Sequence, residues 1–256
     1  MRSNRTRQLL EEGKLALGCG LAQLRSPEIP KLYAAAGLDW TFIDAEHGCF
    51  DVETVQDLVR TALLTPLTPI VRVADLQYSL VARVLDMGAE GVILPRVESP
   101  ELLERAVGWA RFPPQGVRGF GLAAPQVGYG NHSFEEIVRH TNQNVLVVLQ
   151  IETRRALERC DELLAVPGVD VVMVGPADLS ISLGVPGQFD HPSMVDAISG
   201  VIDCCLRHGV HPGMQCRTVT LARAWKQRGM KFLGCSNDIL LLWEKARETV
   251  GQVRAD

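Results

Sequence analysis

The chain has 256 residues, of which 46% are hydrophobic and 22% charged, a composition typical of a globular protein with a substantial core. The net charge of -4 does not indicate a nucleic-acid partner, and no apolar run approaches the roughly 20 residues that span a membrane. The start of the chain lacks the apolar stretch of a secretory signal, and the seven cysteines include no Cys-x-x-Cys pair. We therefore expect one cytoplasmic domain over residues 1–256, with reduced thiols and neither a membrane nor a nucleic-acid partner.

Short apolar runs alternate along the chain with longer segments of helical periodicity. The predicted strands are residues 15–21, 40–45, 69–73, 91–97, 145–151, 169–174, 210–215 and 231–235. The predicted helices are residues 27–37, 52–64, 76–88, 100–111, 134–141, 153–166, 192–208, 218–229 and 238–250. Such alternation indicates parallel strands joined by crossover helices, and eight units in about 250 residues predict an α/β fold, a (β/α)8 TIM barrel. A doubly wound open sheet is the alternative fold.

Residues 112–133 interrupt this alternation. The segment FPPQGVRGFGLAAPQVGYGNHS is long, rich in Gly and Pro, and lies between two predicted helices. Long loops inside a compact domain usually serve a function. We predict that it forms a flap over the mouth of the barrel, and a disordered surface insertion is the alternative.

Several predicted strands end in polar residues. Catalytic groups of a barrel lie at the carboxyl ends of its strands, so these positions are the candidates for a site. They are Asp44-Ala45-Glu46-His47-Gly48 at the second strand, Arg72 in the third, Gln150-Ile151-Glu152-Thr153 at the fifth, Gly175-Pro176-Ala177-Asp178 at the sixth, Gln215 at the seventh and Ser236-Asn237-Asp238 at the eighth. Because the strand interiors are apolar, these residues mark one pole of the barrel as the candidate site.

Two acidic residues at this pole are candidate metal ligands. Glu152 and Asp178 follow consecutive predicted strands, so their carboxylates can converge. Two hard oxygen donors, with water completing the coordination, suit Mg²⁺ or Mn²⁺. Each residue also has a structural interpretation, Glu152 as a carboxylate at the start of a helix and Asp178 as a helix N-cap. Their shared pole favours the metal site.

Two cationic or titratable side chains at the same pole could move protons and stabilise charge. His47 lies beside Asp44 and Glu46, where a carboxylate could orient it as a general base. Arg72 is a cation in the apolar strand PIVRV, and a buried cation requires an anion. The anion is either a substrate carboxylate or enolate oxygen, or a carboxylate of the protein.

The other histidines and the cysteines receive no firm role. The remaining histidines, His208 among them, lie in loops or at helix ends, and the cysteines show no metal-ligand spacing. Cys49, near His47, is a weak candidate for a thiol nucleophile. The glycines of residues 116–121 follow Pro-Pro rather than a strand, so they do not form a dinucleotide-binding motif.

Six motifs stand in order along the chain. They are residues 39–48 (DWTFIDAEHG), 71–73 (VRV), 91–99 (GVILPRVES), 112–121 (FPPQGVRGFG), 148–153 (VLQIET) and 175–184 (GPADLSISLG). Together they resemble the HpcH/HpaI aldolase family, the metal-dependent class II pyruvate aldolases, and the resemblance covers nearly the whole chain. It implies a barrel of the phosphoenolpyruvate/pyruvate type, assembled as a homotrimer or homohexamer with the C-terminal helix exchanged between subunits.

The resemblance also implies a role for each candidate residue. Glu152 and Asp178 match the ligands of a divalent metal, Mg²⁺, Mn²⁺ or Co²⁺. His47 matches the base, Asp86 matches the acid that raises its basicity, and Asp44 helps to orient the histidine. Arg72 matches the residue that stabilises the enolate. The positions that match pyruvate-binding residues are Gln150, Gly175, Pro176, Ala177 and Asp178.

The expected reaction is the cleavage and formation of 4-hydroxy-2-oxo acids, with a 2-oxo acid and an aldehyde as small-molecule partners. Residues 122–132 lack the arginines that the family pattern offers to an acidic aldehyde, and Arg25 stands in a turn that is usually rich in small residues. Gln215 replaces an aliphatic residue near the pyruvate methyl, so we expect it to bind substrate and to admit hydroxypyruvate. The alternatives are a CoA-ester lyase resembling the citrate lyase β-subunit and a non-catalytic barrel that binds an oxo acid or a metal.

Overall fold

The computed structural model describes residues 1–121 and 127–255 and confirms the predicted barrel. Its strands are β1 (Ala16–Leu21), β2 (Trp40–Asp44), β3 (Thr68–Arg72), β4 (Gly91–Leu94), β5 (Leu146–Ile151), β6 (Val171–Val174), β7 (His211–Cys216) and β8 (Phe232–Asn237). They close in chain order, and every neighbouring pair is parallel. The open-sheet alternative is therefore wrong.

Helices surround the barrel and connect its strands. They are α1 (Arg5–Glu11), α2 (Glu28–Ala35), α3 (Val52–Ala62), α4 (Tyr78–Asp86), α5 (Pro100–Ala110), α6 (Phe134–Asn144), α7 (Arg154–Glu158), α8 (Cys160–Leu164), α9 (Pro176–Ser182), α10 (Pro192–His208), α11 (Val219–Gln227) and α12 (Asp238–Arg254). None of the helices in the described part of the chain has the length and apolar character of a membrane span.

The inward-facing side chains of the strands change from apolar to polar along the barrel axis. Trp40 and Phe232 fill the interior with stacked rings whose centroids lie 4.0 Å apart. Gly18 makes room for them, because a Cβ atom there would overlap the Trp40 ring. Side chains alternate in direction along a strand, so Trp40, Phe42 and Asp44 of β2 all point into the barrel. Asp44 is the last of the three and lies at the carboxyl end of the strand. The apolar interior thus gives way to polar groups at the carboxyl ends.

Four helices differ from the sequence prediction. Helices α1 and α9 were not predicted, and the predicted helix at residues 153–166 is two short helices, α7 and α8, that meet at Arg159. Helix α9 begins at Pro176 with Gly175 as its N-cap, so the interpretation of Asp178 as an N-cap is wrong. Proline is favoured at the first helical position because its fixed φ suits the helix and its missing N–H has no partner to lose. This start places Asp178 in the first turn.

The described part of the segment at residues 112–133 contacts helix α4 on the outside of the barrel, and the flap stays a prediction. Residues 122–126, the middle of the predicted flap, lie outside the described residues. The Arg118 guanidinium donates to Asp86 at the end of α4, and the Gly119 N–H donates to the Tyr78 hydroxyl on the outside of the barrel. A crossover helix runs antiparallel to the strands, so a connection that follows α5 starts at the opposite end from the strand carboxyl ends.

Candidate active site

Asp44 and Arg72 form a buried ion pair at the mouth of the barrel. The two residues are register partners on β2 and β3. Arg72 donates from Nε to Oδ1 over 3.0 Å and from Nη2 to Oδ2 over 2.6 Å, and the backbone N–H groups of Glu46 and His47 also donate to Oδ1. Burial alone would raise the pKa of Asp44, but these donors outweigh it and hold the pKa below its ordinary value. Asp44 therefore remains a carboxylate and fixes the guanidinium.

Glu46 links Arg72 to a second arginine, Arg96. Its Oε2 lies 3.3 Å from Arg72 Nη1, and its Oε1 accepts from Arg96 Nε over 3.0 Å. The backbone of Arg96 is in the left-handed region, with φ of 55°, which costs a non-glycine residue about 1 kcal/mol or more. In this conformation the Arg96 N–H points at the Glu152 carboxylate. Arg96 was not among the residues predicted to form the site.

Glu152 is a buried carboxylate with 2% of its surface exposed. Its Oε1 accepts from the Arg96 N–H over 2.8 Å, and its Oε2 accepts from the Gln150 amide. Burial raises the pKa of Glu152, and the nearby carboxylates of Glu46 and Asp178 raise it further against these hydrogen bonds. Negative charge is therefore concentrated around Glu152. Among the described residues, no cationic side chain forms an ion pair with its carboxylate.

The end of β6 approaches Glu152 closely because Gly175 has no side chain. A Cβ atom at Gly175 would lie 3.1 Å from Glu152 and 3.2 Å from Gln150 Nε2. Ala177 and Asp178 follow in the first turn of α9, where backbone N–H groups have no intrahelical acceptor. This turn presents N–H groups and one carboxylate beside Glu152.

His47 lies at the rim, with 55% of its side chain exposed and Nε2 3.7 Å from Glu46 Oε1. Asp44 contacts the backbone N–H of His47, over 3.1 Å, rather than its imidazole. Asp44 thus positions the turn that carries the histidine, and the ring projects from this turn.

Gln215 on β7 reaches across to β8 inside the barrel. Its Nε2 donates to the Ser236 carbonyl over 2.8 Å, and its Oε1 is buried without a hydrogen-bond partner among the described residues. Gly234 leaves the space that this oxygen occupies, because a Cβ atom there would overlap it.

A cavity of about 290 Å³ opens between these groups. Its lining includes the predicted residues Asp44, His47, Arg72, Gln150, Gly175, Pro176, Ala177, Asp178 and Gln215. Glu152 lies behind the cavity wall, against Gln150 and Gly175. The structure thus brings the polar strand ends together at one pole of the barrel.

Two residues considered in the sequence, Asp86 and Cys49, do not line the cavity. Asp86 is the last residue of α4, at the opposite end of the barrel, and its Oδ1 accepts from Arg118 Nη2 over 2.7 Å. It does not contact His47 within one chain. Cys49 is exposed and does not line the cavity.

The fold and the cavity define a (β/α)8-barrel protein whose charged, oxygen-rich pocket lies at the carboxyl ends of the strands, where barrel enzymes carry out their chemistry. Comparison with known proteins extends this description. The profile of the HpcH/HpaI aldolase/citrate lyase family matches residues 22–241. The chain belongs to this family.

Relatives with named activities match over nearly the whole chain. A hydroxypyruvate/pyruvate aldolase of Pseudomonas aeruginosa is 33% identical over 98% of this chain and 93% of its own length. A 4-hydroxy-2-oxo-heptane-1,7-dioate aldolase of Klebsiella pneumoniae is 33% identical over 94% of this chain and 90% of its own length. The crystal structure of an HpcH/HpaI aldolase from Desulfitobacterium hafniense superposes with a TM-score of 0.93 at 32% identity, covering 98% of this chain and 96% of that one.

Proposed function

We propose that the protein is a divalent-metal-dependent class II aldolase. It cleaves 4-hydroxy-2-oxo acids into a small 2-oxo acid and an aldehyde, and it catalyses the reverse addition. One observation carries the proposal: the buried carboxylate of Glu152 and the clamped guanidinium of Arg72 lie beside one cavity, at whose rim His47 is exposed. Relatives named as aldolases match over more than nine-tenths of the chain, which supports the same chemistry.

The donors around Glu152 suit a hard divalent cation. Glu46 and Asp178 place negative charge near Glu152, and Gln150 Oε1 is a buried oxygen without a hydrogen-bond partner among the described residues. Oxygen donors are the preferred ligands of Mg²⁺ and Mn²⁺. We propose that Glu152 and Asp178 hold the ion, with Mg²⁺, Mn²⁺ or Co²⁺ as candidates. When bound, the ion supplies a Lewis acid that stabilises the enolate.

Arg72 and the first turn of α9 bind the 2-oxo acid. Asp44 fixes the guanidinium before substrate arrives, so Arg72 presents its positive charge where the oxo oxygen gains negative charge during cleavage. The N–H groups of Ala177 and Asp178 donate to the substrate carboxylate. Gly175 and Pro176 shape this turn by setting the helix start.

His47 moves the proton that the reaction requires. It accepts the proton of the 4-hydroxyl group as the C3–C4 bond breaks, so that the aldehyde leaves neutral. The exposed position of the imidazole at the rim lets it face the aldehyde half of the substrate, which is farther from the buried carboxylates.

Gln215 favours a donor that carries a hydroxyl group. An aliphatic side chain at this position would offer only apolar contact to the methyl group of pyruvate. The unpartnered Oε1 of Gln215 can accept a hydrogen bond from the C3 hydroxyl of hydroxypyruvate. We therefore propose that both donors are used.

Removal of the metal tests the proposed function. Chelation with EDTA followed by desalting is expected to abolish retro-aldol turnover and the addition of pyruvate or hydroxypyruvate to a panel of aldehydes. Mg²⁺, Mn²⁺ or Co²⁺ should restore it. Turnover that survives chelation would contradict the proposal. So would inactivation by borohydride in the presence of substrate, because borohydride traps a Schiff base. Turnover only with a CoA thioester would establish the lyase alternative, and binding without turnover would establish the non-catalytic one.

Helix α12 supports a homo-oligomer, which we propose to be a trimer or hexamer. From residue 239 onward no described residue of the helix is buried. Leu242 and Trp243 are 56% and 58% exposed, and Val253 is 79% exposed. A helix with so much apolar surface in water gains stability by packing on a neighbouring copy. Exchange of this helix between subunits would cover it.

The placement of Asp86 fits the same assembly. Asp86 lies far from His47 in its own chain, but 28% of its side chain is exposed, so a neighbouring copy can approach it. We propose that Asp86 of one subunit supports the base of the next. The two residues would then belong to one site contributed by two chains.

Mixed oligomers of two inactive variants test this arrangement. His47→Ala and Asp86→Asn are each expected to lower turnover at least about 100-fold, because each removes part of the acid–base pair. Oligomers assembled from both variants should regain a substantial fraction of wild-type turnover, since some sites then hold both natural residues. If the mixed oligomers stay as inactive as their parents, the two residues do not act across subunits.

A further inference from the structure

A cluster of potential metal ligands lies on the outside of the barrel, where α8 packs against α10. It consists of Asp161 on α8 and of Cys204 and His208 on α10. The three ligand atoms all lie within 4.8 Å of one another, and this is the one such group of three or more His, Cys, Asp or Glu residues in the described ranges. None of the three lines the cavity at the strand ends.

The chain forms this cluster from a helix face and a distant residue. Cys204 and His208 are four residues apart on α10, so their side chains emerge on the same face, one turn apart. Asp161 comes from another helix, and only the packing of α8 against α10 brings it to them. Sequence spacing alone therefore gave no metal motif.

The distances fit one tetrahedral ion. Cys204 Sγ lies 3.5 Å from Asp161 Oδ1, and His208 Nε2 lies 3.1 Å from the same oxygen. A tetrahedral zinc ion with ordinary bond lengths places its sulfur and oxygen ligands about 3.5 Å apart and its nitrogen and oxygen ligands about 3.3 Å apart. The three atoms are thus spaced for coordination with little movement.

The donor set differs from that of the proposed catalytic site. One sulfur, one imidazole nitrogen and one carboxylate oxygen suit Zn²⁺, whereas Mg²⁺ and Mn²⁺ favour oxygen alone. Without an ion, the Cys204 thiol donates to Asp161 Oδ1, so the sulfur already faces the carboxylate that would share the metal. Cys204 is buried, whereas the side chains of His208 and Asp161 are 26% and 65% exposed, so an ion can reach the cluster from solvent on their side.

One side chain competes with a cation at this place. Arg207 Nη2 donates to both carboxylate oxygens of Asp161, over 2.8 and 2.9 Å. Binding of an ion would break the contact of Arg207 with Oδ1 and release the Cys204 proton to water, while bonds form to sulfur, nitrogen and oxygen. Affinity should therefore rise with pH.

We propose that Asp161, Cys204 and His208 form a second metal site, for a thiophilic divalent ion such as Zn²⁺, with water as the fourth ligand. The ion would join α8 to α10 at the barrel surface. The site is independent of the aldolase chemistry, so its presence neither requires nor establishes that activity.

Titration of the metal-free full-length protein with Co²⁺ tests the site, because a cobalt–thiolate bond gives a near-ultraviolet charge-transfer band that oxygen ligands do not give. We expect the band to saturate at one equivalent of Co²⁺ per chain and to disappear when Zn²⁺ displaces the cobalt. The band should be retained in Glu152→Gln. Cys204→Ser should abolish it. His208→Ala should weaken Co²⁺ binding at least about tenfold, since even outer partners of a metal are worth that much.

Two further variants separate this site from adventitious binding. Arg207→Gln, an exposed change, should tighten Co²⁺ binding because it removes the competing cation, and Cys49→Ser should leave the band unchanged. His208→Ala should keep wild-type aldolase turnover and an unchanged circular dichroism spectrum. Absence of a thiolate band in the wild type, or a band lost in Cys49→Ser but kept in Cys204→Ser, would overturn the proposal.

Discussion

Replacement of Glu152 by Gln is expected to lower kcat/KM of the retro-aldol reaction by about 10³-fold, because Lewis-acid stabilisation of an enolate is worth several kcal/mol. Gln keeps the size of the side chain and one oxygen acceptor for the Arg96 N–H. The change removes a negative charge from a buried site that also contains Glu46 and Asp178. We therefore expect the folded state to be at least as stable as the wild type.

Initial rates measured against Mn²⁺ concentration check this prediction. The variant should require at least about tenfold more Mn²⁺ for half-maximal activity, since a lost ligand costs no less than a lost outer-shell partner. Glu104→Gln, on the exposed face of α5, serves as the matched control and should behave as wild type. Unchanged metal dependence and kcat/KM in Glu152→Gln would place the ion elsewhere.

The barrel could be predicted from sequence because its signal is local and repeated. Each β-strand is a short apolar run, and several helices end in a glycine before the next strand, as at Gly37 and Gly209, both of which have positive φ. The start of α9 was harder to place, since Asp178 looked like a cap until Pro176 proved to occupy the first helical position. Propensity alone does not decide between two helix starts that lie three residues apart.

The residues of the site were found where strand alternation controls their direction. Asp44, Arg72 and Gln150 occupy inward positions at strand ends, and all three line the cavity. Arg96 was missed because its position depends on a left-handed backbone, which an arginine does not signal. The link from Arg72 through Glu46 to Arg96 is a tertiary contact that sequence spacing does not encode.

Asp86 and the cluster of Asp161, Cys204 and His208 show what a local sequence pattern cannot predict. The family resemblance identifies Asp86 as a functional position but does not say which copy of the chain it serves, and its own barrel places it beside Arg118. The ligands Asp161 and Cys204 are 43 residues apart, so only helix packing brings them together. In both cases the missing information is spatial, and it lies beyond any local pattern.

Replacement of Arg72 by Gln is expected to lower kcat/KM about 100- to 1,000-fold, because it removes the fixed positive charge that we propose stabilises the developing enolate. It should also lower the free energy of unfolding by about 3 kcal/mol, since Asp44 would remain buried without its cationic partner. Arg72→Lys is the matched control. Lysine keeps the charge but lacks the planar fork that donates twice to Asp44, so an intermediate loss of activity is expected.

The pH dependence of stability distinguishes this ion pair from a merely steric role of Arg72. In the wild type the pKa of Asp44 is lowered, so the pair contributes fully above the ordinary aspartate pKa of about 3.9 and is lost as pH falls through the lowered value. In Arg72→Gln the guanidinium no longer lowers the pKa of Asp44, so burial raises it. Protonation of Asp44 as pH falls then removes the cost of an unpaired buried carboxylate in the variant. Urea unfolding should therefore show the largest stability difference between the two proteins near pH 7 and a smaller one in mild acid. A difference that stays constant with pH would mean that Arg72 does not stabilise the Asp44 carboxylate.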